Sequence, residues 1–218
     1  MTTRAVLTGD LVASSRLSPA SLQGARQTFE AASAEIAGWA PKLVASTPDF
    51  FRGDSWQLLL TRPGFSLRAA FYIRASLKAG QPDWDTRIAI GLGQVARVDK
   101  ARTSLSSGEA FLLSGHALDA MGPATNIVVA SPPRARGWAA LDVLAKICSG
   151  MIDDWSQKQA QVARLALSPN APTQAEMAER LGISQQAVSK ALAAAKVPAF
   201  LQAAEYCEGL NWRRVELI

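Results

Sequence analysis

Between residues 5 and 130 short apolar runs alternate with longer stretches of helical spacing, and this order limits the chain to few folds. Residues 5–7 with 11–12 read as a short buried strand opening into a turn at Gly9 and Asp10. Residues 19–39 are alanine-rich, with Leu22, Phe29, Ile36 and Trp39 near helical spacing. Residues 43–46 and 56–60 read as two strands, and the FFRGDS segment between them as a hairpin tip. A helix is expected over 67–79, closed by Gly80, and a central strand over 87–95. A third helix over 107–121 and a strand over 126–130 complete the series.

The order β-α-β-β-α-β predicts an α+β fold, a ferredoxin-like or palm-type sheet domain. PPRARG at 132–137 is a boundary signal, and the chain after it is helical in pattern. This divides the sequence into an α+β domain at 1–135 and an all-helical domain at 136–218. Residues 138–167 predict one long helix or two, broken by SPNAP at 168–172. A further helix is expected at about 199–207, and residues 213–218 read as a terminal strand.

The segment 173–195 (TQAEMAERLGISQQAVSKALAAA) has the spacing of a helix-turn-helix. Thr173 and Glu176 form a capping box. Gly182 falls where the first helix must end in a left-handed residue, and Ser184 can cap the second. Small Ala178 permits a close crossing, and Leu181, Ile183, Val188 and Leu192 form the expected apolar seam. The outward residues of the second helix are then Gln185, Gln186, Ser189 and Lys190. These side chains suit base edges and phosphates in a major groove. Thr173 and Gln174, opening the first helix, are placed to hold a phosphate of double-stranded DNA. The segment resembles the helix-turn-helix of bacterial transcription regulators, including repressor-type and MarR-like proteins.

Asp10, after the first strand, and Asp54, at the hairpin, would share one end of the sheet if their strands were neighbours. Two such carboxylates can hold Mg²⁺ with nucleotide phosphates completing its shell. Gly9 and Gly53 would let a nucleotide approach the backbone closely. The series GDLVASS, FRGDSWQ, RIAIGLGQV and SSGEAFLLSGHALDAM resembles the catalytic domain of class III nucleotidyl cyclases and related palm domains. That resemblance implies metal-binding roles for Asp10 and Asp54. It also implies an Asn and an Arg on the helix after the RIAIGLGQV strand, but residues 108–121 contain neither and offer Glu109, Ser114 and His116 instead. Over most of its length the chain resembles SatD-like bacterial proteins, which join a GD-containing domain to a C-terminal helix-turn-helix.

The 218 residues carry a net charge of +5. The excess lies within residues 1–150, whereas 151–218 hold seven basic and seven acidic residues. Arg52, Arg87, Arg97, Lys100 and Arg102 could form a phosphate-attracting surface, with a solvated face as the default. No apolar run reaches the ~18–20 residues of a membrane helix, and the N-terminal segment lacks a signal peptide's apolar stretch, so a cytoplasmic location is expected. Two cysteines, Cys148 and Cys207, and one histidine, His116, give no pattern for zinc or disulfides. The expectation is a homodimeric DNA-binding transcription regulator whose palm-like domain senses a ligand or dimerises. The alternative is a Mg²⁺-dependent nucleotidyl cyclase or polymerase, or a nucleotide sensor without turnover, built on Asp10 and Asp54.

Overall fold

The computed structural model describes residues 2–51, 53–133 and 135–212, with only the backbone of Arg136. Among these lie five strands and eight α-helices. The sheet strands are β1 (Arg4–Leu11), β2 (Asp49–Phe51), β3 (Ser55–Leu60), β4 (Thr86–Gly93) and β5 (Ile127–Ala130). The helices of the sheet-forming part are α1 (Pro19–Ala37), α2 (Ser66–Gly80) and α3 (Glu109–Asp119). Five helices follow: α4 (Ala139–Asp153), α5 (Gln157–Leu167), α6 (Gln174–Leu181), α7 (Gln185–Ala194) and α8 (Val197–Gly209).

The sheet order is β2-β3-β1-β4-β5, with β1 antiparallel to both β3 and β4 and β5 parallel to β4. The expected element order is therefore present. Strand alternation sorts the two faces. Ala5, Leu7, Leu11, Trp56, Leu58, Leu60, Ile88, Ile90 and Leu92 join the main core beneath α1 and α2. Val6, Leu59 and Ala89 face the other way, in two smaller clusters with Ala110 and Leu118 of α3. The helix α3 can lie close because β4 is bare there: a Cβ on Gly91 would fall 2.1 Å from the Ala110 carbonyl oxygen.

Three local expectations are corrected. Gly9 and Asp10 are not in a turn. β1 continues through them because both edges are paired, Gly9 with Trp56 and Ile88, Asp10 with Ser55 and Arg87. Residues 43–46 form no strand, only an isolated bridge from Val44 to Leu60. Beyond it Thr47 exchanges backbone hydrogen bonds with Lys100 and Thr103, which draws the chain off β3 until β2 begins. Phe50 and Phe51 accordingly belong to that edge strand and not to the hairpin tip. Of the two arrangements expected for 138–167, two helices are present, because Ser156 starts α5 with a capping box completed by Gln159.

α2 is buried on every side, between the sheet and the later helices. One apolar core runs from Ala5 on β1 to Cys207 on α8, so the parts before and after residue 135 share it. Within it Phe71 of α2 meets Phe200 of α8 edge-on, with ring centroids 5.1 Å apart. Burial pushes the Cys148 thiol up to about 11 and the Cys207 thiol up to about 12. The expected terminal strand at 213–218 lies outside the described residues. No helix among the described residues is long and apolar enough to cross a membrane.

Candidate functional site

Two regions hold the residues singled out from the sequence. The first is the end of the sheet where β1, β3 and β4 terminate. Asp10 stands opposite Ser55 on one side and Arg87 on the other. Asp54 immediately precedes β3, and its carbonyl accepts from the Leu11 amide at 3.3 Å. The topology therefore brings Asp10 and Asp54 to the same sheet end. Asp10 and Arg87 project on the α3 side, by the same alternation that sends Leu11 and Ile88 to the main core.

The Arg87 fork closes on Asp10: Nε donates to Oδ1 at 2.9 Å and Nη2 donates to Oδ2. Bidentate pairing of this kind is the strong form of an Arg–carboxylate contact. Asp54 Oδ2 instead accepts from the Ser14 hydroxyl at 2.5 Å. The hydrogen bond from Arg87 to Asp10 is the largest influence holding that guanidinium protonated, and the charges of Asp10, Asp54 and Asp119 act the same way. The oxygens of Asp10 that a metal would use thus face a guanidinium, and a dication there would stand beside a fixed positive charge. This donor arrangement does not fit a divalent cation. Among the described residues no group of three or more His, Cys, Asp or Glu is placed to hold a metal.

The two glycines differ. A Cβ on Gly9 would fall 2.4 Å from the Trp56 indole, so the close approach expected there of a ligand is made by the protein's own ring. Gly53 sits at φ 88° with open space where a Cβ would project. Its carbonyl accepts from Arg26, whose guanidinium also lies 5.4 Å from the Phe50 ring centroid. Of the basic residues expected to attract phosphate, Arg52 lies outside the described residues. Arg102 pairs with Asp49, and Lys100 donates to the Ala45 carbonyl at 3.1 Å. On α3, Ser114 is buried against the Thr8 hydroxyl at 2.7 Å, and His116 is exposed. Arg87 as the partner of Asp10 is the residue that sequence reasoning missed. Opposite charges at matching positions of two neighbouring strands were the available signal.

The second region is the pair α6–α7. Thr173 accepts from the Glu176 amide while the Glu176 carboxylate accepts from the Thr173 amide, completing the expected capping box. The Thr173 amide and hydroxyl, both donating to the Glu176 carboxylate, hold that carboxyl below the usual range. Gly182 ends α6 in the left-handed region at φ 64°, and Ser184 caps α7 through the Ala187 amide. Val188 is fully buried and anchors α7, and Met177 and Ala178 are buried on α6. Ile183 departs from the expected seam: it is 41% exposed, and Met177 fills the buried role instead. Thr173, Gln174, Gln185, Gln186, Ser189 and Lys190 are all exposed.

No family model matches the sequence. No curated protein matches it either. A solved structure similar to the chain is the crystal structure of the guanylyl cyclase Cya2. It has a TM-score of 0.43 and 16% identity, covering 59% of this chain and 77% of that one.

Proposed function

We propose that this chain is a DNA-binding regulator in which α7 enters the major groove, with the α+β part sensing a ligand or joining two copies. The observation that carries the reading is the division of α7 into an anchored side and a free polar side. Val188 fixes the helix, while Gln185, Gln186, Ser189 and Lys190 stand exposed on its first turns. The N-terminal part of such a helix is where base edges are met: Gln can pair bidentately with adenine, and Lys reaches guanine or phosphate. The exposed Thr173 and Gln174 at the start of α6 are placed to meet a phosphate on the flanking backbone. A two-fold dimer would then read two half-sites about one helical turn apart.

Selection from a random duplex pool, followed by titration of the enriched duplex at two salt concentrations, tests this. The expected result is a palindromic site whose affinity falls with salt. The double variant Gln185→Ala, Gln186→Ala should lose roughly 2–6 kcal/mol of discrimination, at ~1–3 kcal/mol for each bidentate contact. Failure to enrich any sequence, or a double variant with unchanged sequence choice, removes α7 from the role. Repeating the titration with a nucleotide panel tests whether the Asp10 and Asp54 end is the sensing site, through a change in DNA affinity.

A further inference from the structure

We infer that Arg87 occupies the Asp10 carboxylate where a divalent cation would bind, so that this end of the sheet carries its own counter-cation and takes up no divalent metal. The placement is written into the register. Asp10 and Arg87 are direct cross-strand partners on β1 and β4, with side chains on the same face. The guanidinium meets both oxygens of one carboxylate, a fit that a flexible ammonium could not give. The Asp10 side chain is only 17% exposed, against 35% for Arg87, so the pair is shielded on its carboxylate side. The second carboxylate, Asp54, is half-buried and has one oxygen held by Ser14. Three carboxylates, those of Asp10, Asp54 and Asp119, act on this one guanidinium. A dication entering here must displace the fork from Asp10 and then remain beside it. The inference concerns the sheet end alone and stands or falls independently of DNA binding by α7.

Mn²⁺ is the probe, followed on the full chain by loss of its free paramagnetic signal and by thermal unfolding with and without the ion. The wild-type protein should leave the Mn²⁺ signal unchanged. Arg87→Gln removes the internal cation and should raise Mn²⁺ affinity roughly tenfold or more, since an adjacent arginine shifts a carboxylate's cation equilibria by ~1–3 decades. Arg87→Lys keeps the charge but reaches one oxygen only, and should show a smaller gain, which serves if the glutamine variant fails to fold. Asp10→Asn in the Arg87→Gln background should abolish the acquired binding. Saturable Mn²⁺ binding by the wild type that Asp10→Asn removes would overturn the inference. So would folded Arg87 variants that bind no more Mn²⁺ than the wild type.

Discussion

Arg74 has no solvent-exposed side-chain surface, although it lies in the middle of a helix whose neighbours are Ile73 and Ala75. Its burial is tolerable because each part of the guanidinium has an oxygen. Nε and Nη2 donate to Asp85 at 2.8 and 2.5 Å, Nη2 also donates to Asp153 at 2.6 Å, and Nη1 donates to the Ser149 carbonyl at 3.2 Å. Burial alone would lower its basicity, but Asp85 and Asp153 together outweigh that and raise it. A buried ion pair gains little over a well-packed apolar substitute, yet removing one partner strands the other. Arg74→Ala is expected to cost ~3–5 kcal/mol, because Asp85 then keeps the Thr86 amide at 2.8 Å but, for its charge, a Lys78 ammonium 3.7 Å away. Urea unfolding of the variant beside the wild type measures this, and a loss below about 1 kcal/mol would show that water replaces the guanidinium at no great cost.

At the scale of elements, the helices and strands of the α+β part were legible because each carries one dominant period. α1 repeats Ala25, Phe29, Ala32 and Ile36 on its buried side, and β4 is apolar and buried almost throughout. Legibility failed where a tertiary partner decided the matter. Residues 43–46 have strand chemistry but keep only a bridge to Leu60, because from Thr47 the chain turns to the loop at 100–103. Gly9 looked like a turn residue and is instead the flat spot on which Trp56 rests. The double burial of α2 is not legible in its own residues, because Arg68, Arg74 and Lys78 are buried only through partners on later elements. At the candidate site, the shared sheet end of Asp10 and Asp54 was readable, whereas the closing of Arg87 on Asp10 needed the register. Glycines separate these causes by experiment. At Gly182 a Cβ meets open space, so Gly182→Ala should cost only the left-handed backbone penalty, ~1–2 kcal/mol. At Gly91 the same methyl meets the backbone of α3, and Gly91→Ala should cost ~3 kcal/mol or more, the upper end of overpacking. Denaturant midpoints of the two variants check the order, and equal losses would mean that α3 slides to accommodate the methyl.

For the molecule as a whole, the question is whether residues before and after 135 are two folding units. α2 decides it. Its sheet-facing side packs under β1 and β4, while Phe71 is covered by Phe200 and the α5 helix lies along it, with Ala160, Ala163 and Leu167 in the same core. The polar links repeat the pattern. Arg68 of α2 donates to Glu208 of α8 at 2.6 Å and to the Leu167 carbonyl at 3.3 Å, and Arg74 reaches Asp153 at the end of α4. A chain ended at residue 133 would therefore expose an apolar helix face and leave two guanidinium groups without these partners. Each Å² of apolar surface so exposed costs ~25 cal/mol, against a stability that is marginal for a small domain. The full chain should unfold in one cooperative transition, with circular dichroism and tryptophan fluorescence superimposable. The fragment 1–133 should bind the apolar dye ANS and lack a cooperative melt. Two separate transitions in the full chain, or a fragment that melts cooperatively, would instead mark the α+β part as a domain able to stand alone. A ligand held at the Asp10 end would then have no shared core through which to bias α7.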